Sequence, residues 1–340
     1  MIRGKKAWFG MLLGLSAWGC MEANAPAAPA TGPAKGNPKV TPVVSVPVPV
    51  PAGQQPKVAA VPADLVILSF NIRYGTAPDG TNSWSYRKAQ LFDLIKNQNA
   101  DVIGLQEALD SQIKEIIAAV PGYSRLGVGR DDGKAAGEFS PILYRTARFR
   151  ADTSGTFWLS DTPEIPGSKT WGNNITRICS WTHLTDKNTN RGFYHFNAHL
   201  DHESQPSREK SAVLIVQRMQ AVPKKTEPAF LTGDFNVDET DPVVRYLVGK
   251  ANLAGKPNPI PFADSFRMLH PDVKAASTFH DFLGDTVGDK IDYVLVPPRM
   301  QILSAEIIRS NLNGKYPSDH FPINASLVVP EWASTSILRN

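Results

Sequence analysis

Short apolar runs separated by turns begin at Asp64 and continue almost to the C-terminus, and they predict a domain rich in buried strands. The run Leu65–Phe70 is apolar at nearly every position, which is typical of a strand covered on both faces. Asp101–Leu105 is a second run of this kind. Further strands are predicted over residues 141–144, 175–184, 193–200, 229–232, 291–296 and 322–329.

Helical periodicity appears between some of these runs. A helix is predicted to begin at Ser83 or Ser85, since a serine hydroxyl can cap the first turn. Its inner face is marked by apolar side chains at helical spacing, Leu91, Leu94 and Ile95. More helices are predicted over residues 113–120, 207–221 and 242–248. Because strands outnumber helices, the pattern indicates packed sheets covered by helices.

The first 63 residues have a different composition from the rest of the chain. Basic residues followed by a short apolar stretch predict an export signal peptide over residues 1–20, too short to span a bilayer permanently. Residues 21–63 are rich in proline, alanine and valine, which predicts an extended linker of polyproline character. We expect one globular domain over residues 64–330 and a short tail over residues 331–340.

Export leaves three destinations open: secretion, the periplasm, or attachment to a membrane as a lipoprotein. Cys20 is the candidate lipid-anchor site, although the residues before it match the usual leucine-rich sequence poorly. Cys179 is the other cysteine of the chain, so it has no disulfide partner once the signal is removed. The domain is therefore predicted to depend on its apolar core for stability, and we expect a monomer.

The charge balance changes once the predicted signal is set aside. The whole chain has 36 basic and 32 acidic residues, a formal net charge of +4 at pH 7. Three of the basic residues lie in the signal, which leaves 33 basic against 32 acidic residues. A non-specific binder of polyanions normally has a stronger basic excess. Composition alone therefore does not favour DNA or RNA as a partner.

Polar side chains stand at the ends of several predicted strands or just before them. A buried carboxylate costs free energy unless it is paired or holds a metal ion, so several at strand ends predict convergence on one site. These residues are Asn71, Glu107, Asp234, Asn236, Asp292, Asp319 and His320.

The predicted strand over residues 194–201 alternates strictly between apolar and polar side chains. Its polar row consists of His195, Asn197, His199 and Asp201. A solvated outer face accounts for such a row, and we assign His195 to that face. His199 is assigned to the site instead, because of the motifs that accompany it.

Six short motifs occur in an order and strand context similar to those of the endonuclease/exonuclease/phosphatase superfamily, which has the pancreatic deoxyribonuclease fold. They are Phe-Asn71-Ile, Leu-Gln-Glu107, Asn-Ala-His199-Leu-Asp201, Gly-Asp234-Phe-Asn236, Ile-Asp292-Tyr and Ser-Asp319-His320. The resemblance spans residues 65–327. It implies an α/β fold, a four-layer α/β sandwich of two packed mixed β-sheets flanked by helices.

The resemblance also implies a metal site. Glu107 is expected to be the main ligand, assisted by Asn71 and Asp319. Such hard oxygen donors suit Mg²⁺ or Mn²⁺ better than zinc.

Catalytic roles follow from the same resemblance. Asp292 is expected to orient His320, and Asp234 to position or deprotonate water with help from Asn236. The sequence leaves open whether Asp234 or His320 is the base.

Two basic side chains complete the predicted site. His199 and Arg177 are expected to donate to the phosphate oxygens, Arg177 because it lies 22 positions before His199, as does an arginine that contacts phosphate in some relatives. Asp201 is expected to support the substrate site.

These residues imply an exported, metal-dependent hydrolase of phosphomonoesters or phosphodiesters. The substrate stays open among small molecules, lipid headgroups and nucleic acids. Arg73 stands where abasic-site endonucleases of the superfamily have an acidic residue, which disfavours DNA repair. An extracellular nuclease is the alternative enzyme, and a catalytically inactive surface binding protein is the alternative of another class. Trp171, beside a Gly-Asn-Asn turn, is a candidate stacking platform for a base or sugar.

Overall fold

The structure is a computed structural model that describes residues 64–330. The predicted signal peptide, the linker, the lipid-anchor candidate Cys20 and the C-terminal tail lie outside the described residues. Within the described part of the chain, no helix is both long and apolar enough to cross a membrane.

The described residues form strands, with helices between some of them. The strands are β1 (Leu65–Asn71), β2 (Val102–Gln106), β3 (Tyr123–Leu126), β4 (Ile142–Arg145), β5 (Phe149–Trp158), β6 (Ile178–Asp186), β7 (Gly192–His199), β8 (Ala229–Asp234), β9 (Asn252–Leu253), β10 (Lys256–Pro257), β11 (Ala263–Asp264), β12 (Asp292–Val296), β13 (Gln301–Ile307) and β14 (Ile323–Val328). The α-helices are α1 (Trp84–Gln98), α2 (Asp110–Ala119), α3 (Gln205–Gln220), α4 (Pro242–Leu247) and α5 (Ser265–Leu269).

Two six-stranded mixed sheets form the centre of the domain. The first has the strand order β13-β14-β1-β2-β4-β3, and the second has the order β11-β12-β8-β7-β6-β5. The pairs β1–β2 and β7–β8 are parallel, whereas their other neighbours are antiparallel. As a result, β1 and β2 end at one edge of their sheet, and β7 and β8 end together in the other.

Three apolar clusters separate four layers. The first cluster packs α1 and α2 on the outer face of the first sheet, and the second packs α3 and α4 on the outer face of the second sheet. The third fills the space between the sheets, with Leu65, Ile67 and Val102 from one sheet facing Phe230 and Val294 from the other. This arrangement confirms the predicted α/β sandwich of two packed mixed sheets flanked by helices.

Coverage of both faces explains why β1 reads as a continuous apolar run. Leu65 and Ile67 face the second sheet, whereas Leu68 and Phe70 face the helices. All four side chains are fully buried. At about 25 cal/mol per Å² of apolar surface removed from water, each such side chain favours folding by roughly 1.5–3 kcal/mol.

The face between the sheets changes from apolar to polar along each central strand. On β7 the row begins with Phe193 in the apolar cluster and continues through His195 and Asn197 to His199. On β8 the row passes from Phe230 through Thr232 to Asp234.

These polar residues form a buried layer that links the sheets. Gln106 Nε2 donates to Asn197 Oδ1 (2.7 Å), and Asn197 Nδ2 donates to the Leu105 carbonyl oxygen (2.7 Å). Thr232 Oγ1 donates to Asn197 Oδ1 (3.0 Å) and lies 2.9 Å from His195 Nε2. The apolar core therefore ends at a layer of hydrogen bonds that lies one step below the strand ends.

The assignment of His195 to a solvated outer face is wrong. Its side chain is fully buried between the sheets, and burial lowers its pKa to about 3. Strict alternation shows only that two faces differ. It does not show that the polar face meets water, because here that face meets the polar side chains of β2 and β8.

Candidate active site

A cavity of about 380 Å³ opens at the end of the gap between the sheets, where the central parallel strands end. Arginine, histidine and carboxylate side chains make up most of its wall. It is lined by Arg73, Tyr74, Glu107, Arg130, Glu138, Ile175, Arg177, His199, His202, Asp234, Asn236, Phe279, Ile291, Asp319 and His320.

Glu107 follows β2 in the left-handed region, with φ 58°, and Asn236 behind β8 has φ 55°. Non-glycine residues rarely adopt this conformation, which costs about 1–3 kcal/mol and is concentrated at functional sites. In each case the backbone leaves the strand abruptly and the side chain lines the cavity.

Asn71, at the end of β1, holds carboxylates from both sheets. Its Nδ2 donates to Glu107 Oε1 (3.0 Å) and to Asp234 Oδ2 (2.9 Å), and its Oδ1 accepts from the Arg73 backbone N–H (3.0 Å). The Tyr74 N–H donates to the second oxygen of Glu107 (3.2 Å). The amide group thus orients two acids, while its oxygen is engaged by the backbone, so the predicted ligand role of Asn71 stays a prediction.

The carboxylates around Glu107 fit a divalent cation. Glu107, Asp234 and His320 each offer one ligand atom, and these atoms lie within 4.8 Å of one another. Asp319 lies nearby: burial raises its carboxyl pKa, the charge of His320 lowers it and that of Glu107 raises it again. Hard oxygen donors that repel one another in a buried wall are stabilised by a bound Mg²⁺ or Mn²⁺. Asp234 and His320 thus lie beside the predicted ligand Glu107, but a His320 ring in its charged form has no lone pair to give to a metal ion.

Asp234 is at the centre of the site. Its Oδ2 lies 3.5 Å from His199 Nε2 and 3.8 Å from His320 Nε2, and its Oδ1 accepts from the Asn236 N–H (2.9 Å). Burial and then the negative charge of Asp292 raise its pKa to about 7. A carboxylate with such a pKa can exchange a proton near neutral pH.

His320 and Asp292 form a buried pair. His320 Nδ1 and Asp292 Oδ2 are 2.9 Å apart, and the other oxygen of Asp292 has no hydrogen-bond partner among the described residues. Burial lowers the pKa of His320, but the negative charges of Asp292 and Asp234 outweigh it and raise the pKa well above its ordinary value. The imidazole is therefore held in its charged form, with Nε2 directed towards Asp234.

His199, at the end of β7, differs from His320 because its pKa is lowered and not raised. Burial and the positive charges of Arg177 and Arg130 lower its pKa well below the ordinary value, so the ring is neutral. Its Nε2 lies 3.0 Å from Asn236 Nδ2, which also donates to the Leu200 carbonyl oxygen (3.1 Å). Asn236 thus fixes the ring that faces Asp234.

Arg177 is a buried cation with weak compensation. Only 4% of its side chain is exposed, and its Nε lies 3.4 Å from Asp201 Oδ2, a long contact for an ion pair. Its Nη2 lies 2.9 Å from His202 Nδ1. The other oxygen of Asp201 accepts hydrogen bonds from the N–H groups of Glu203 (3.1 Å) and Ser204 (2.7 Å). A guanidinium so placed, with its cavity face open, favours an anionic ligand.

The predicted site residues therefore lie together, in two groups. Seven of them line the cavity: Glu107, Arg177, His199, Asp234, Asn236, Asp319 and His320. The remaining three lie behind the wall, where each bonds to a lining side chain: Asn71, Asp201 and Asp292. Their proximity does not test the individual roles, which stay predictions.

Some lining residues were not predicted. Arg73 lies with Nε 3.6 Å from Asp319, and Phe279 packs edge-on against His320, with ring centroids 5.1 Å apart. Arg130 and Glu138 lie at the two ends of a glycine-rich hairpin over residues 130–138, and its sequence predicts only a turn. No strand or helix periodicity marks these positions, so sequence patterns could not reveal them.

Trp171 lies outside this cavity, so its role as a stacking platform stays a prediction. Its ring is only 8% exposed, its Nε1 donates to Asp161 (2.7 Å), and it is absent from the cavity wall. Lys210 lies over the ring, with Nζ 5.7 Å from the centroid.

The chain is similar to solved bacterial structures over most of its length. An endonuclease/exonuclease/phosphatase from Bacteroides vulgatus is 33% identical, with a TM-score of 0.70, over 78% of this chain and 98% of that one. The mannosyl-6-phosphatase Bt3783 of Bacteroides thetaiotaomicron is 34% identical, with a TM-score of 0.69, over 78% of this chain and all of that one.

A viral relative is more distant. An uncharacterized protein, L388 of Acanthamoeba polyphaga mimivirus, is 26% identical over 182 residues, which is 51% of this chain and 67% of that protein.

The family model described as the endonuclease/exonuclease/phosphatase family matches residues 68–320, from the middle of β1 to His320. This span contains every predicted site residue and all six strands of the second sheet. The chain belongs to the endonuclease/exonuclease/phosphatase family.

Proposed function

We propose that the protein is a divalent-metal-dependent phosphomonoesterase that acts on a small phosphorylated compound. The observation that carries this proposal is the placement of Arg177, the histidines and the carboxylates in one cavity of about 380 Å³. Cationic donors for a phosphate, a carboxylate for water and oxygen ligands for a metal are the parts that phosphoester hydrolysis requires. All of the predicted acids and histidines are present in the chain, which speaks against an inactive binding protein.

Glu107 and Asp319 would hold the metal, with Asn71 orienting the Glu107 carboxylate. A bound Mg²⁺ or Mn²⁺ supplies Lewis-acid polarisation of a phosphoryl oxygen and neutralises charge in the transition state. Each Glu107 oxygen accepts one hydrogen bond from the protein, which leaves a lone pair on each oxygen for the cation.

We propose that Asp234 positions and deprotonates the attacking water. Its Oδ1 is fixed by the Asn236 N–H, while its Oδ2 faces both histidines and Asn71. The charges of Asp292 and Asp234 raise the pKa of His320 and favour its charged form, which makes Asp234 the better candidate for the base. Water would lose a proton to Asp234 as its oxygen bonds to phosphorus in line with the leaving group. The phosphorus–oxygen ester bond then breaks, the leaving oxygen takes up a proton from solvent, and Asp234 returns its proton to solvent, so that the products are phosphate and an alcohol.

His320 and Arg177 would bind the non-bridging oxygens with full charge. His199 would join them as a neutral donor when its Nε2 carries the proton and turns from Asn236 Nδ2 to the phosphate. Loss of one preorganised donor of this kind typically costs about 10²–10³ in turnover.

The charges favour a monoester over a diester. A monoester presents a dianionic terminal phosphate, which the buried guanidinium and imidazolium can match. The mannosyl-6-phosphatase that is 34% identical supports a phosphorylated sugar as one candidate. A near-balance of acidic and basic residues along the chain gives no general attraction for a long polyanion.

Phosphate release from a panel of esters tests this proposal. The panel contains sugar phosphates, an aryl phosphate, a bis-aryl phosphodiester, a phospholipid headgroup, and single- and double-stranded DNA, each with Mg²⁺, with Mn²⁺ and with chelator. We expect metal-dependent hydrolysis of monoesters above all. Preferred cleavage of DNA would support the nuclease instead, and absence of turnover on every ester would support a binding protein.

Glu107→Gln is the matching variant. It keeps the shape of the side chain but removes the anionic oxygen, so we expect turnover to fall by about 10²-fold or more with little change in the melting temperature. Raised Mn²⁺ should restore part of the loss. Unchanged turnover at ordinary Mg²⁺ would contradict the metal assignment.

Export, a monomeric state and a lipid anchor at Cys20 are proposals that rest on the sequence alone. Fractionation of cells that express the full chain, with Cys20→Ser compared for membrane attachment, tests the first and third. Sedimentation of the purified protein tests the second.

A further inference from the structure

A bidentate ion pair forms one wall of the cavity beside the phosphate-binding side chains. Arg130 Nη1 and Nη2 donate to the two oxygens of Glu138 (2.7 and 2.8 Å). Their side chains are 14% and 16% exposed, and both line the cavity. Neither residue belongs to the motifs that carry the family resemblance, and neither is assigned to the metal, the attacking water or the phosphate.

We propose that the Arg130–Glu138 pair binds hydroxyl groups of the leaving group, so that the substrate is a phosphomonoester of a polyhydroxylated compound such as a sugar. This inference rests on the proposed phosphomonoesterase function and specifies the alcohol half of its substrate.

The pair adds no net charge to the cavity. Arg177 and His320 already supply the cations that a phosphate needs, and Glu138 cancels the charge of Arg130. Burial of an ion pair is weak support for stability, since desolvation consumes most of the attraction. A largely buried pair of zero net charge at the wall of a cavity is therefore better explained by the groups that it offers a ligand.

What it offers is a donor and an acceptor side by side. Each Glu138 oxygen accepts one hydrogen bond from Arg130, although a carboxylate oxygen has two lone pairs. A hydroxyl group is both donor and acceptor, so adjacent hydroxyls can donate to the carboxylate and accept from the guanidinium. An alkyl or aryl group would leave both partners desolvated without compensation.

The pair lies next to the phosphate end of the cavity. Arg130 and Glu138 also line a small crevice together with Arg177 and His199. The charge of Arg130 contributes to the lowered pKa of both Arg177 and His199. An alcohol attached to the bound phosphate would thus meet the pair within a few bonds.

The hairpin that carries the pair is held in one conformation. The Arg130 N–H donates to the Glu138 carbonyl oxygen (3.0 Å), and Trp158 Nε1 donates to the Arg130 carbonyl oxygen (2.6 Å). The Phe139 N–H donates to the Ala108 carbonyl oxygen (2.8 Å), which ties the hairpin to the residue after Glu107. A wall fixed in this way loses little conformational entropy when it binds hydroxyl groups.

Apolar surface for the carbon skeleton lies in the same cavity. Ile175 and Phe279 are part of the wall, and Phe279 is 46% exposed. A sugar ring presents C–H faces as well as hydroxyl edges, and the wall offers partners for both.

A charge-neutral double variant tests the inference. Arg130→Met with Glu138→Leu removes donor and acceptor together and leaves the net charge around the phosphate unchanged. The comparison uses hexose 6-phosphate and n-hexyl phosphate, which share a primary phosphate ester and carbon number but differ in hydroxyl groups. We expect wild-type kcat/KM to favour the sugar ester, and the variant to lose about 10- to 100-fold on it but less than threefold on the alkyl ester.

The matched control is a second bidentate pair outside the cavity wall. Arg267 donates to both oxygens of Glu239 (2.6 and 2.7 Å), and neither residue lines the cavity. Arg267→Met with Glu239→Leu should leave the ratio of kcat/KM for the two esters unchanged. Melting temperatures of both double variants are measured beside the kinetics.

A series of deoxyhexose 6-phosphates on the wild-type enzyme provides a test that needs no variant. We expect kcat/KM to be lower for each deoxy compound that lacks a hydroxyl group in contact with the pair. Equal wild-type kcat/KM for sugar and alkyl esters, or equal losses on both esters in a folded variant, would overturn the inference and leave the phosphomonoesterase intact. Failure of the wild type to hydrolyse any monoester would instead overturn the function on which it rests.

Discussion

At the scale of single residues, the site combines two ways of placing charge in a buried wall. The charge of Asp292 raises the pKa of His320, whereas burial, and then the charges of Arg177 and Arg130, lower the pKa of His199. Two imidazoles that approach the same oxygen of Asp234 thus differ in charge. This asymmetry lets one carboxylate oxygen face both a cationic ring and a neutral ring.

The Asp292–His320 pair predicts a non-additive effect on turnover. Asp292→Asn keeps a hydrogen-bonding side chain but removes the charge that raises the pKa of His320. We expect Asp292→Asn and His320→Ala each to lower kcat by about 10²–10⁴-fold, and the double variant to be little worse than the worse single variant.

Melting curves of the same variants separate catalysis from folding. One buried oxygen of Asp292 has no hydrogen-bond partner within residues 64–330, so removal of the charge should cost little stability. Additive losses in kcat would rule out a coupled pair. So would an Asp292→Asn protein that melts far lower yet turns over normally while folded.

His195 predicts a pH dependence of stability that is separate from catalysis. Burial lowers its pKa to about 3 in the folded protein, against an ordinary value of 6.5. The unfolded state therefore binds more protons between these values, so the contribution of His195 is full above pH 6.5 and is lost as pH falls towards 3. The slope approaches about 1.4 kcal/mol per pH unit.

His195→Gln removes the titrating group and keeps a polar side chain beside Thr232. We expect the free energy of unfolding, measured in urea at pH 7 and pH 5, to fall by about 1–2 kcal/mol less in the variant than in the wild type. His280, whose pKa burial lowers to about 4, contributes equally to both proteins. Equal pH dependence in wild type and variant would contradict the assigned state of His195.

At the scale of elements, β2 must approach the second sheet closely for the polar layer to form. A Cβ atom on Gly104 would collide with Thr232 Oγ1 and with the side chain of Asn197. Glycine at this position therefore lets Gln106 reach Asn197, and β2 carries this contact to within one residue of Glu107. The spacing of the sheets and the position of the proposed metal ligand are linked through this strand.

Gly104→Ala should cost about 1–3 kcal/mol of unfolding free energy and lower turnover, because the added methyl group pushes β2 away from β7 and β8. Thr232→Ala removes one of the two obstructing groups. The double variant should thus be more stable than the sum of the two single losses predicts. Urea denaturation of all four proteins measures this, and simple additivity would show that Gly104 and Thr232 do not share the space.

Elements covered on both faces were predictable, and elements at the sheet edges were not. β1, β2 and β8 were predicted to within two residues at each end, since their apolar runs reflect burial by the opposite sheet and by helices. β5 and β13 are edge strands of their sheets, and exposed positions such as Arg150 and Gln301 interrupt any apolar pattern. Backbone hydrogen bonds to one neighbouring strand hold such a strand in place. These bonds do not depend on side chains, so they produce no pattern in the sequence of the strand.

At the scale of the whole molecule, the site joins residues that are up to 249 positions apart, from Asn71 to His320. Motif order could predict which residues converge, because each motif ends or begins a central strand. It could not predict the Arg130–Glu138 wall, which depends on where a turn of irregular backbone packs against β5 and Ala108. The face of His195 was mispredicted for a related reason: polarity along a strand does not identify what the strand packs against.

The same architecture predicts that the metal is needed for catalysis but not for folding. Glu107, Asn71 and Asp234 project from strands held by apolar clusters on both faces of each sheet, so the wall exists before any ion binds. Chelation by EDTA should abolish phosphate release, and added Mg²⁺ or Mn²⁺ should restore it. Binding to the folded state adds only the mass-action term, about 3 kcal/mol at a hundredfold excess over Kd, so the melting temperature should fall by a few degrees. A bound ion also relieves the repulsion between Glu107 and Asp319, so the melting temperature should be higher with metal than without it.

Glu107→Gln serves as the control, since its melting temperature should respond less to EDTA. Global unfolding on chelation would show instead that the ion is structural, and an unchanged melting temperature together with full activity in EDTA would remove the metal from the site.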